Sequence, residues 1–552
     1  MEVPITRTCD VLTVLALILA AAAPAASAAV PLSTYVEARA AEMNGDESRS
    51  AQLYAMMAEA DPADRTIARK AISTAIQSGQ AELAISLAKA IPPNELPIDA
   101  RLMLAADQLR RGKNKDAVAA LEKGATSTEV DLLAPLMKAW ERTARGKKDG
   151  IELLSQLSSA SPLAPIANEQ KAAMLFALGK ADEALPIAQQ VLVQSGGRNT
   201  RLRLAYADSL IRLKRPDDAL AMLQGDDDAL AAARERVAEG KPLGMAISTP
   251  SDGYAEMLLA IAIDLGREDN KALPIALTQV SRHANPGNTE GAVLLALLLD
   301  SDDRPDDALA LLGTVRADDL LAGEALDIET RILGDKADYP RALAGAQAAT
   351  RTSGAGPHDF ARLANVLGDM NRHAEAAAAY EEAIKRTARG GNSELWTLHL
   401  LRAASLEQAD RWGEAKAELE TALKLDPENA LLLNFLGYGK LERGEDLDSA
   451  EAMIRKASEL RPDDASITDS LGWALFKRGH VDEAIETLSR AAAGDPAQSE
   501  IHEHLGDALY SAGRRIEARF SWQAALITAE DQAKSRLEGK MELGLNTTNA
   551  AP

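Results

Sequence analysis

The chain has 552 residues, 46% of them apolar, which is too long for one compact core and too apolar for a disordered polymer. Alanine and leucine dominate, aromatics reach only 3% and the formal charge is −22, a balance that favours closely packed helices over β-sandwiches and sets the chain against phosphate backbones, so no nucleic-acid partner is expected. A single cysteine, Cys9, excludes a disulfide framework and a cysteine-built zinc site.

The first element is the apolar run VLTVLALILAAAA from Val11 to Ala23, followed by Pro24 and by Ala26-Ser27-Ala28. An apolar core, a helix break and a small-x-small triplet form a secretory signal. The run is shorter than the roughly 20 residues that span a bilayer. Residues 1–28 are therefore expected to be a signal peptide, although Arg7 is its only basic side chain and Glu2 and Asp10 offset it. Cleavage after Ala28 removes Cys9. That cysteine precedes the apolar core, whereas a lipidated cysteine follows it, so a lipid anchor is not supported. A thiol-free mature chain suits an oxidising periplasm, which is the expected location.

Downstream, a ladder of small residues recurs: Ser50, Ala84, Ala117, Ile151, Ala184 and Ala219, then Ala272, Ala308, Ala342, Ala376, Ala415, Ala450, Ala484 and Ala518. Most steps are of 33 to 36 residues. The step of 39 after Ala376 marks an insertion near Gly390-Gly391, and the step of 53 after Ala219 is too long for one unit. The long step holds GDDDALAAARERVAEGKPLGMAISTPSDG, residues 225–253, an acidic start, a short charged helix and a Gly/Pro/Ser-containing stretch. A boundary is placed there, as a hinge or a rigid insert, between an N-terminal array at 29–224 and a C-terminal array at 254–528. The tail 529–552 loses the period, and its end LNTTNAAP is expected to be disordered.

The last copies define the unit. Leu471-Gly472, Gly479, Ala484, Ala491 and Pro496 return as Leu505-Gly506, Gly513, Ala518 and Ala525, and precede as Leu436-Gly437, Gly444, Ala450, Ala457 and Pro462. Gly472 permits close approach of two helices, and Gly479 ends the first of them. Asp482 or a nearby polar group caps the second, on whose inner face Ala484 and Ala491 lie, and Pro496 stops it. This pattern resembles the tetratricopeptide repeat. The resemblance implies an all-α, right-handed α-solenoid of about fourteen helix pairs in two arrays. It also implies that the first helix of each pair lines a concave face. On that basis Asn434, Tyr438, Trp473, Phe476, Lys477 and Tyr510 are the expected partner-binding residues, the aromatics among them forming a track of anchors. Phe435 and Trp522 are read as fillers between repeats. The lysine/asparagine clamp of chaperone-binding relatives is not expected, because the matching stretch offers Asn434 beside aromatics and acids.

No phosphate loop, dinucleotide fingerprint, nucleophile elbow or HExxH motif is present. His502 and His504, two apart on a helix, point to different sides, and no metal is expected there. Asp226-Asp227-Asp228 and DDRPDD at 302–307 lack calcium-loop spacing and are read as solvated charge. No cofactor, catalytic residue or metal site is expected, and the ladder leaves no stretch for a separate catalytic domain.

Three strings go further: NFLGYGKLERGEDLDSAEAMIRKASELRPDD at 434–464, SITDSLGWALFKRGHVDEAIETLSRA at 466–491 and HEHLGDALYSAGRRIEARFSWQAAL at 502–526. Together they look like the C-terminal signature of a proteobacterial envelope family with many such repeats. GYAEMLLAIAIDLGREDN at 253–270 and YVEARAAEMNGDESRSAQLYAMMAEADP at 35–62 are similar to that family's restart and first unit. Members of the family include lipoprotein adaptors that activate a carboxyl-terminal processing protease and present its substrates. The resemblance implies a periplasmic scaffold that binds other proteins or peptides, an envelope protease and its substrate among them. The competing readings are an enzyme subunit with a site in the divergent N-terminal array or insert, and a cytosolic repeat regulator with a misassigned start.

Overall fold

The computed structural model describes residues 32–123, 128–147, 149–154, 164–225, 227–352, 354–387, 395–546 and 549–551. The signal segment, Cys9, Asp226, the Gly390-Gly391 pair and Thr547-Thr548 lie outside them. Among the described residues the regular secondary structure is helical throughout, an all-α solenoid of antiparallel helix pairs. It divides into two compact units, Met1–Lys336 and Ala337–Pro552.

The local reason for the pairing recurs along the chain. In most pairs the turn between the two helices holds a residue in the left-handed region. Glycine fills it at Gly79, Gly112, Gly179, Gly444, Gly479 and Gly513, but Lys214, Asp303, Asn371 and Asp410 do so elsewhere. The next amide then bonds back five residues, as His480 N to Leu475 O at 2.9 Å and Arg215 N to Leu210 O at 2.9 Å, closing the helix with a Schellman motif. The backbone device survives where its glycine signature does not. Asp482 is not the cap residue of the following helix. That position is His480, and Asp482 lies in the first turn, where its charge favours the helix N-terminus.

Ladder residues are buried in the second helices, except Ile151, which is half-buried beside buried Gly150, and Ala272, which is exposed at the start of its helix while Ile275 and Ala276 turn inward. The close approach expected at Gly472 is real: a Cβ there would stand 2.5 Å from Leu488 Cγ.

In the N-terminal unit the boundary expected at 225–253 is absent. Residues 228–238 form the short helix Asp228–Ala238, and the stretch after it is held by Asp208, whose carboxylate accepts from Leu243 N at 3.2 Å, Met245 N at 2.9 Å and Ala246 N at 2.9 Å. The helices Pro250–Leu265 and Ala272–Ala284 then turn back into the N-terminal array. They pack on the first helices Arg65–Gln77, Ile98–Arg110, Thr128–Thr143 and Ala164–Ala177. Gly253 meets Trp140 so tightly that a Cβ would lie 2.1 Å from its indole, and Tyr254 donates to Leu102 O at 3.0 Å. One hydrophobic core runs from Ala38 to Leu321 across the expected boundary. Residues 254–336 of the expected C-terminal array therefore belong to the N-terminal unit. The division falls at Lys336/Ala337, inside a single 34-residue ladder step from Ala308 to Ala342.

In the C-terminal unit the pairs end with Ser499–Ser511 and Arg515–Thr528, followed by the helix Asp531–Leu543. Of the end expected to be disordered, the described residues 549–551 are seated: Ala551 is buried, its amide donates to Asp507 Oδ2 at 3.0 Å, and Asn549 Nδ2 donates to Gly544 O at 3.0 Å. A buried lysine in the last helix draws the tail inward against the loss of period.

Candidate protein-binding groove

Three first helices, Ala430–Glu442, Ala465–Lys477 and Ser499–Ser511, pack successively on one another, while their second helices lie behind them. This puts the first helices on the inner side of the stack. Gly437, Gly472 and Gly506 set the spacing: a Cβ would meet Ile454 at 2.7 Å, Leu488 at 2.5 Å and Trp522 at 2.4 Å respectively. The side chains one helical turn apart on the inner side then form a continuous row.

Trp473 is at the centre of that row, but not as an exposed anchor. It is 1% exposed, stacked on His504 with ring centroids 4.0 Å apart and on Phe476 at 5.1 Å, and it donates from Nε1 to Glu442 Oε1 at 3.0 Å. Both ring faces are covered, so it is a wall of the groove rather than a partner contact. Phe476 and Tyr438 are half-buried and Lys477 is exposed, with its Nζ 4.8 Å above the Trp473 ring and 3.8 Å from Glu442. Asn434 is half-buried and its buried Oδ1 has no hydrogen-bond partner. Tyr510 is tilted on Trp522 at 5.4 Å, and a Cβ on Gly544 would stand 2.1 Å from its hydroxyl, so the chain's own tail covers part of it. Trp522 is fully buried and donates to Asp507 Oδ1 at 2.9 Å.

Charged residues outside the expected set shape the row. His504 is completely buried, with Nδ1 2.9 Å from Asp469 Oδ2 and Nε2 4.0 Å from Glu500 Oε1. Burial disfavours its charge, but the carboxylate and hydrogen bond of Asp469 outweigh that and hold its pKa above the ordinary histidine value. Burial and the carboxylates of Glu500, Glu442 and Asp469 push the Tyr438 phenol up, so it stays protonated and donates to Glu500. Arg536 makes a two-pronged pair with Glu503, both contacts at 2.7 Å, and the fully buried Lys540 bridges Glu503 Oε1 at 2.6 Å and Asp507 Oδ2 at 2.7 Å. Burial would raise the Glu503 carboxyl, but the bonds from Arg536 and Lys540 hold it below its usual range. For Asp507 burial prevails over Lys540 and the shift is upward. His504 was visible in the sequence only as half of an IHEH metal candidate. The basic pair was hidden in a tail without periodicity.

The N-terminal unit holds the other concentration of charge. Arg198 contacts Glu169, and its NH2 lies 2.5 Å from Glu256 Oε2. Arg201 NH2 lies 2.5 Å from Glu256 Oε1 and its NH1 donates to Met245 O at 2.7 Å. Glu290 approaches both arginines at 3.6 Å and 3.9 Å. With every group ionised the cluster has one negative charge in excess. Burial lifts the Glu290 carboxyl to about 7 against the pull of Arg198, with Glu256 adding to the rise. These groups join the helices around the inserted hairpin and lie inside the unit, so they act as internal ties. Among the described residues no group of three or more His, Cys, Asp or Glu is placed to hold a metal ion, and no helix is long and apolar enough to cross a membrane.

The architecture is that of a helical repeat solenoid. Residues 175–238, 360–388 and the overlapping spans 440–497 and 470–534 match tetratricopeptide-repeat family models, so both units carry this repeat. No curated protein matches the chain. Solved structures similar to it include YrrB, a TPR protein with an unusual peptide-binding site, at 21% identity over 35% of this chain and 97% of that one, with a TM-score of 0.27. An APC/C hetero-tetramer chain is similar at 14% identity over 97% of this chain and 99% of that one, with a TM-score of 0.35. MamA is similar at 22% identity over 31% of this chain and 97% of that one, with a TM-score of 0.26. Repeats of this kind generally serve as protein-interaction scaffolds.

Proposed function

We propose that this protein is a periplasmic adaptor that holds a partner protein on the inner face of its C-terminal repeats and assembles envelope proteins there, among them a carboxyl-terminal processing protease and its substrate. One observation carries the reading. In the N-terminal unit the inner helices are covered by the chain's own Pro250–Ala284 hairpin, whereas in the C-terminal unit Tyr438, Phe476 and Lys477 of the inner row remain accessible. Aromatic side chains held by a rigid repeat bury large area at low entropic cost and are favoured anchors. The secretory pattern at 11–28 supports the location, and the strings at 434–526 support the envelope role.

Crosslinking in cells from a benzophenone residue in place of Phe476, with identification of what is caught, tests this function. An envelope protease among the products is the expected result. Tyr438→Ala with Lys477→Ala, made with the benzophenone kept at position 476, should abolish that product while circular dichroism of the purified chain stays unchanged. A product that persists in the double variant rules out this groove, and recovery of the chain in the cytosolic fraction rules out the location.

A further inference from the structure

The acids of the inner row are matched to cations supplied by the chain itself, and one acid is left over. Asp469 and Glu503 occupy the same position in successive repeats, 34 residues apart. Asp469 receives His504 from the next first helix, at 2.9 Å. Glu503 receives Arg536 and Lys540 from the helix after that, at 2.7 and 2.6 Å. Glu442 is approached by Lys477 at 3.8 Å. Among the described residues no lysine or arginine lies within ion-pair distance of Glu500. Its side chain is 53% exposed, and its neighbours are His504 Nε2 at 4.0 Å and the Tyr438 hydroxyl. His504 Nε2 is itself buried without a hydrogen-bond partner and is aimed at that carboxylate. The half-buried Tyr438 lies at that carboxylate, whereas Phe476 stacks on Trp473 away from it.

Resting on the scaffold reading above, we propose that the groove at Tyr438 and Glu500 receives a lysine or arginine side chain of the partner's peptide. The seating of Arg536 and Lys540 on Glu503 and Asp507, one repeat along, is the intramolecular precedent for how this row takes a cation. The chemistry is that of a carboxylate beside an aromatic ring. The carboxylate accepts the ammonium or guanidinium hydrogen bonds, and the Tyr438 ring attracts the cation.

Fluorescence anisotropy of the full chain with a labelled peptide of alternating lysine and alanine, beside Gln–Ala and Glu–Ala counterparts, tests the assignment. The basic peptide should bind more tightly than the neutral one by about tenfold, the size of one charge-assisted contact. Glu500→Gln should remove most of that difference. Glu486→Gln, the same charge change on the exposed side of a second helix of the same unit, should leave it intact. Equal losses in the two variants would mean non-specific attraction to an acidic protein and would overturn the proposal. A benzophenone at position 476 separates this inference from the scaffold reading. Preferential crosslinking of the neutral or acidic peptide overturns the cation specificity and leaves the groove as a binding site. Absence of crosslinks to all three peptides overturns both.

Discussion

The hydroxyl of Tyr254 donates to the main-chain carbonyl of Leu102 at 3.0 Å, across 152 residues of sequence. Both groups are buried, and the bond pins the Pro250–Leu265 helix against the inner face of an early repeat. The hairpin thus stands where a ligand of the N-terminal repeats would stand. Tyr254→Phe should lower the stability of the N-terminal unit by about 1–2 kcal/mol, because it leaves the Leu102 carbonyl without this donor. Gly253→Ala should cost more, roughly 1–3 kcal/mol, since its Cβ overlaps the Trp140 indole. Hydrogen exchange of residues 98–110 and 250–284 under increasing urea measures both.

Lys540 is fully buried between Glu503 and Asp507. Lys540→Met leaves two acids facing each other without that cation, and breaking a buried pair in this way costs about 3–5 kcal/mol. Faster exchange should appear at 499–546 and leave the N-terminal unit unaffected. An unchanged exchange pattern would show that the tail is not docked.

Glu290 makes stability pH-dependent with a defined sign. Its folded pKa of about 7 lies above the ordinary 4.5, so the folded chain keeps a proton that the unfolded chain releases between those values. The contribution is greatest below the unfolded value and falls as pH rises toward 7, by roughly 3 kcal/mol in total. Glu290→Gln cannot ionise and should gain on the parent as pH increases, with the two closest at acidic pH. Glu169, also raised by burial, leaves a residual slope in the variant. Urea midpoints of the N-terminal unit at several pH values provide the comparison.

Turn chemistry predicts opposite outcomes at equivalent positions. Lys214 sits at φ 60° where other repeats use glycine. Lys214→Gly should stabilise the N-terminal unit by about 1 kcal/mol through relief of left-handed strain, offset in part by backbone entropy. Gly479→Ala, at φ 84°, should destabilise the C-terminal unit by about 1 kcal/mol, although a Cβ there meets nothing within 4 Å. Paired urea titrations decide both signs.

The burial of Trp473 changes which substitutions probe the groove. Trp473→Ala should cost about 3–5 kcal/mol by removing a buried ring, so loss of binding in that variant would report on unfolding as well. Tyr438→Ala and Phe476→Ala, at half-buried positions, are the cleaner probes, and thermal melts of the three variants should show this order.

What the sequence alone determined was local. Small residues about 34 apart, glycines that end first helices and prolines that follow second ones recur because each helix pair must close its own turn and bury its own inner face. Those demands are met within a few dozen residues and leave a readable trace. The aromatic positions could be placed on first helices in the same way, but not their exposure: Trp473 is buried and the tail covers part of Tyr510. What only the tertiary structure decided depended on partners far along the chain. The stretch at 253–270 read as the restart of a second array, and nothing local told that its neighbours would be Trp140 and Leu102. The seating of the tail depended on Glu503 and Asp507, and the covering of Trp473 on His504. Periodicity records how a repeat packs on the next one. It contains no record of which distant surface covers a face that the repeats leave open.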